Sequence, residues 1–286
     1  MRKAWLSAFF LLIAAALAYP QQVSYKLMGG LTWFNGDDYN RGILNENKYL
    51  KDTTQTMSGA YQELKSGQNL QAEILVFANR HIAVGFGGGY YHSSRESTVQ
   101  TSGLQGGLPF DSVSTFRPNL SVIPLFVNIH YMTRLASRLN LDIFAGPLYQ
   151  VVQFKFKGAL TTSLDAVNQI ETFTASVTSF GAQGGLGLSF EIFRGVALVA
   201  EGCYRYGITT HLFGNWSLLG SSASGPISQS SSEYYMWSYD DTPAATYSRI
   251  GFFDKNGPTG NFVSNAEKSD LHLSGITALA GLKFSI

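Results

Sequence analysis

The sequence has little cysteine and little charge, and past its first twenty residues it has no long apolar run. Cys203 is the only cysteine in 286 residues, which excludes an internal disulfide and any cysteine-based metal site. Charged residues make up 14% of the chain, against about 25% in typical soluble domains. The 20 basic residues nearly balance the 19 acidic ones, so no basic surplus exists for nucleic acid. No later segment approaches the ~20 apolar residues of a membrane helix. What is plentiful is glycine, at 30, and aromatics, at 20 Phe, 15 Tyr and 4 Trp. A chain of this kind predicts strands of period two, with apolar side chains toward lipid and small or polar ones toward an interior.

The N-terminus reads as an export signal. Arg2 and Lys3 precede the apolar run Ala8 to Ala18, and Ala16-Leu17-Ala18 supplies small residues before Tyr19. Residues 1–18 are therefore expected to be removed, leaving 19–286 as a single barrel domain.

Eight segments alternate as required, beginning with Val23 to Trp33, Leu70 to Ala78 and Ile82 to Tyr91. Ser121 to Tyr131, about Leu141 to Lys157, Phe180 to Ile192, Val196 to Tyr206 and Ile276 to Ile286 complete the set. The fifth alternates less cleanly, and a bulge is expected near Gly146-Pro147. Connections alternate between short (79–81, 133–140, 193–195) and long (about 35–69, 93–119, 158–175 and 212–268). The prediction is an all-β, up-and-down antiparallel transmembrane β-barrel with short periplasmic turns and long extracellular loops. It has eight strands, or ten if the last loop adds a full hairpin.

The glycines of "IAVGFGGGYYHSS" (82–94) pose a choice between a phosphate loop and a wall. Gly85, Gly87 and Gly89 share one face of a strand and are not followed by an amphipathic helix, so a dinucleotide loop fails on context. They are expected to give larger inward side chains room. Tyr25, Trp33, Tyr90, Tyr131, Tyr204 and Phe284 are placed on the lipid face as an aromatic girdle.

"LSVIPLFVNIHYMTRL" (120–135), "FAGPLYQV" (144–151), "GAQGGLGLSFEIFRGVALVAEGCYRY" (181–206) and "ALAGLKFSI" (278–286) resemble the eight-stranded outer-membrane β-barrel, or porin-like, superfamily. The resemblance covers the last five strands well, the third weakly and the loops not at all. It implies the outer membrane of a Gram-negative cell, outer-membrane lipids as neighbours and the barrel assembly machinery during biogenesis. Ile286 stands where such chains usually end in an aromatic, with Phe284 two residues earlier.

Parity points Lys26, Glu73, Asn128, His130, Gln183, Glu191, Glu201, Arg205 and Lys283 into the lumen. An eight-stranded barrel is only wide enough for side chains to fill it, so a plug of ion pairs is expected over a selectivity filter. Glu201 and Arg205 lie about 13 Å apart along one strand, and each is expected to pair with a neighbouring strand. In the last long loop Trp216, Tyr234, Tyr235, Trp237 and Tyr239 are candidates for surface binding of an unidentified extracellular ligand. The alternation of "SEYYMWSY" equally suggests a continued barrel wall. Nucleophilic catalysis would draw on His92 with Ser93, Ser94 and Glu96, or on His211 near Thr209 and Thr210. The five histidines, His81, His92, His130, His211 and His272, show no metal-ligand spacing. The expectation is a monomeric, non-enzymatic barrel without metal or cofactor, serving as anchor or interaction surface. A narrow or gated channel is the alternative and a lipid-modifying enzyme a minor one.

Overall fold

The computed structural model describes residues 22–105, 107–163, 166–209, 211–241, 247–259 and 263–286. The signal segment 1–18, the cleavage point before Tyr19 and Thr210 lie outside them. Among the described residues, eight strands form a closed antiparallel ring: β1 (Gln22–Phe34), β3 (Ser66–Phe77), β4 (Ile82–Ser94), β6 (Leu108–Ala136), β7 (Leu139–Thr162), β8 (Val167–Phe193), β9 (Val196–Thr209) and β15 (Gly275–Ser285). Each pairs with the next, β8 with β9 and β9 with β15. The last strand returns to the first through Tyr25 opposite Phe284 and Trp33 opposite Ile276.

Alternation explains the ring. Leu186 is 57% and Ile276 59% exposed, while Gln183 and Thr277 on the opposite parity are 5% and 0% exposed. All six expected girdle residues are exposed on the outside. Tyr25, Tyr131 and Phe284 lie toward the short-turn end, and Trp33, Tyr90 and Tyr204 toward the other. From Tyr25 to Trp33 is about 27 Å along the strand at ~3.4 Å per residue, the scale of the ~25 Å apolar band of membrane barrels. The shorter-than-expected turn at 137–138 and the turn at 194–195 share one end with Gln22 and Ile286, where the Ile286 N–H donates to the Val23 carbonyl at 3.0 Å.

The long connections differ from the expected loops, because most of their residues continue the wall. β6, β7 and β8 are 29, 24 and 27 residues long, against the ~9–11 needed to cross a bilayer. Between β1 and β3 lie helix α1 (Asp37–Thr53) and β2 (Thr56–Ser58), and between β4 and β6 lies β5 (Ser97–Gln105). After β9 come β10 (Phe213–Ser222), β11 (Gly225–Asp241), β12 (Tyr247–Phe253), β13 (Val263–Lys268) and the short β14 (Leu271–His272). The β10–β11 hairpin does not enter the ring as strands nine and ten. It stands above β9, where β10 takes β9's place beside residues 168–175 of β8. The resulting head is a curved sheet in the order β2-β5-β6-β7-β8-β10-β11-β12, with α1 packed on β12. Gly42 permits that approach, since a Cβ there would collide with Ile250. No bulge occurs at Gly146-Pro147: β7 keeps one register against β8 from Leu139 to Thr162. Its irregular look arises because apolar Phe144, Leu148 and Val152 face inward. The register shifts fall instead at Arg134/Ala136 and Glu191/Phe193.

Candidate functional site

Inside the ring the charges converge on Lys26. Its Nζ lies 2.6 Å from Glu201 Oε1, 2.9 Å from Asp142 Oδ2 and 3.3 Å from Glu73 Oε2. His130 bridges two of these carboxylates, Nδ1 at 3.0 Å from Asp142 and Nε2 at 2.9 Å from Glu73. A neutral imidazole has one N–H and satisfies one of them; an imidazolium satisfies both. Asn128 donates to Glu73 at 3.0 Å, Gln183 donates to Asn128 at 3.1 Å, and the Arg205 Nε donates to Gln183 at 3.2 Å. All seven of the predicted residues in this chain of contacts are buried. Glu201 reaches past β15 to Lys26 on β1. Arg205 meets the neighbouring strand β8 as expected, but through neutral Gln183; among the described residues it has no ion pair and its Nη2 no hydrogen-bond partner. The inward glycines of β4 make the cluster possible, since a Cβ on Gly85 would strike Glu73 and His130, and one on Gly87 the Phe126 ring.

Two of the nine expected lumen residues lie outside the cluster about Lys26. Glu191 is exposed and Lys283 half-buried, both at the short-turn mouth, which also holds Arg80, Arg134 and Arg194. Glu191 keeps its register opposite Ala197, and its exposure comes from its place at the open mouth near the strand's end. Asp142, which sequence reading missed, lies in the fifth segment; keeping parity from Gln150 back through Phe144 would have found it.

Beyond the ionic cluster come buried neutral polar side chains, Thr32 bonded to Thr277 and Asn69 bonded to Thr32 and Gln71, and then an apolar interior. Leu120, Val152, Phe154 and Phe173 from the wall, Phe34 and Tyr91 from the strand tops, and Tyr39 and Ile43 from α1 form one buried cluster, joined by Leu212, Trp216, Met236 and Leu271. α1 belongs here because Tyr39 and Ile43 fall four apart on one face. Asn40 pins it, donating to the Leu64 carbonyl and accepting from the Leu64 N–H, both at 2.9 Å.

The five aromatics proposed for surface binding are distributed through this head. Trp216 and Trp237 are buried and so are not available as a surface. Trp216 stacks on Tyr234 with centroids 4.6 Å apart, Tyr235 lies 3.8 Å beneath the Lys268 ammonium, and Tyr239 packs edge-on to Phe253 at 5.6 Å. The alternation that favoured a continued wall explains why their rings pack within the sheet.

The candidate nucleophiles are not aligned with their histidine. Ser93 donates to the Ser66 carbonyl at 2.7 Å and Ser94 to the Pro118 carbonyl at 3.3 Å, while His92 Nδ1 lies 3.2 Å from Ser121. Glu96 faces Arg117 at 3.6 Å, and His211 faces Asp270 at 3.2 Å.

A cavity of about 440 Å³ opens between α1 and the upper wall. Its lining includes Tyr39, Glu46 and Leu50 of α1, Tyr61, Thr101 of β5, Phe116 of β6, Phe156 of β7, Glu171 of β8 and Phe252 of β12. Trp216 Nε1 donates to Glu171 Oε1 at 2.6 Å, and burial pushes the Glu171 carboxyl above its ordinary pKa against that hydrogen bond. The Tyr39 hydroxyl is buried with no hydrogen-bond partner among the described residues, and burial raises its pKa well above the usual phenol value.

No protein-family model and no curated protein sequence matches this chain. Solved structures similar to it include a major outer membrane protein from Thermus thermophilus, at TM-score 0.38 and 12% identity, over 92% of this chain and 99% of that one. The outer membrane protease OmpT from Escherichia coli aligns at TM-score 0.32 and 10% identity, over 93% and 97%. Ail, the attachment invasion locus protein of Yersinia pestis, aligns at 0.27 and 10%, over 93% and 97%. Likeness at these scores assigns neither activity nor ligand.

Proposed function

We propose that the chain is an outer-membrane β-barrel of a Gram-negative envelope whose plugged ring anchors a rigid extracellular head. The observation that carries this reading is the interior: an ionic cluster about Lys26 lies under an apolar cluster whose members Leu120, Val152, Phe154 and Phe173 are all 0% exposed. Solute transport needs a continuous water path, and an apolar layer packed this closely opposes one. The exposed leucines and isoleucines between two aromatic girdles support contact with lipid. The dispersal of His92, Ser93 and Ser94 among other partners supports a non-enzymatic role.

Refolded in detergent, the protein is expected to give a β-rich circular dichroism spectrum and a heat-modifiable gel shift, and to insert into planar bilayers as a silent monomer. Discrete conductance steps from the wild-type chain would overturn the anchoring role in favour of a channel. A change in lipid A mass upon expression would replace it with a lipid-modifying enzyme.

A further inference from the structure

The cavity beneath α1 differs from the rest of the interior in charge. The rings of Tyr39, Tyr61, Phe116, Phe156 and Phe252 line it together with the Glu46 and Glu171 carboxyls, and no Lys, Arg or His among the described residues does. Its volume of about 440 Å³ is in the range of small-molecule sites, roughly 300–1,000 Å³. Aromatic faces attract organic cations, and a buried carboxylate is stabilised by an opposite charge. An anion would meet the Glu171 carboxyl, and a neutral guest would leave it without a counter-charge. Trp216 already fixes one Glu171 oxygen at 2.6 Å, so the acceptor is oriented before a ligand arrives.

We propose that this cavity binds a small organic cation, an amine or quaternary ammonium on an apolar body, through the ring faces and the Glu171 carboxylate. The inference rests on the extracellular head of the preceding section and gives that head a ligand class. The test uses the full chain refolded in maltoside micelles, titrated calorimetrically with benzyltrimethylammonium, with its neutral isostere neopentylbenzene and with benzoate, each corrected against protein-free micelles.

Saturable binding of the cation is expected, weaker by about tenfold or more for either other compound and for Glu171→Gln. The glutamine keeps an oxygen for Trp216, and Thr101→Trp fills the cavity from the β5 wall and should abolish binding. Absence of cation binding, equal binding of the neutral isostere, or undiminished binding by either variant would overturn the proposal. The wild-type comparison of cation with isostere decides it without any variant. Gel mobility of the same samples reports the folded barrel, so failure of the barrel reading is seen separately from failure of the cavity to bind.

Discussion

Around Lys26 the inward positions of the ring include Glu73, Asn128, His130, Asp142, Gln183 and Glu201, with Phe144 stacked on His130, and nearly every polar atom finds a partner; further along the same strands they include Leu120, Val152, Phe154 and Phe173. One wall with one alternation thus encloses an ionic interior and then an apolar one. Period two decides which residues point inward and is indifferent to their chemistry. In the lower region most charges are held by opposite charges, Arg205 excepted, so each substitution is judged by the partner it strands. In the upper region α1 supplies apolar side chains to a helix-covered core, and substitutions are judged by volume.

The comparison is broken most severely at Lys26. Lys26→Met leaves Glu73, Asp142 and Glu201 gathered in a buried site without their cation. Removing one partner of a buried ion pair costs about 3–5 kcal/mol, and with three carboxylates exposed to each other the heat-modifiable folded band should be lost. Phe173→Ala, in the apolar region, should lower stability by about 3–5 kcal/mol through cavity formation, read as an earlier urea midpoint with the gel shift retained.

A smaller effect contrasts two ring glycines. Gly85→Ala thrusts a methyl against Glu73 and His130 and should cost about 1–3 kcal/mol. Gly202→Ala faces outward with nothing near its Cβ and should stay within about 0.5 kcal/mol of wild type. Equal effects on the urea midpoint would refute the inward placement of Gly85.

The smallest expected effect is the pH response of the head. Burial raises the Glu171 pKa, so between the ordinary and the raised value the folded state holds a proton that the unfolded chain gives up, and above it the group is a carboxylate. Stability from this group is complete below the ordinary carboxylate range and declines as pH rises through the raised value. Protease resistance of the head should fall slightly over that window, and Glu171→Gln should remove the slope.

Much of the ring was legible because a lipid-facing strand must alternate: Leu186 against Gln183 and Ile276 against Thr277 identify their faces without any knowledge of neighbours. The head was less legible. Tyr39 and Ile43 show helical spacing, but α1 lies in a polar stretch whose mean character is that of a loop, and only its packing on β12 gives that face a core to join. Asp142 was hidden by the large apolar residues that follow it inward, and alternation alone does not tell that Glu191 lies at the open mouth, away from the cluster about Lys26.

By itself the sequence determined the alternation of side chains, the exclusion of disulfides and the crowding of charge inside a narrow ring, because these depend on residue type and a fixed local period. The tertiary structure decided which charges meet at Lys26, that Arg205 meets neutral Gln183, and that the long connections rise into a walled head around a cavity. Those outcomes depend on contacts between strands far apart in the chain, such as β1 with β7 and α1 with β12, and no local period encodes them.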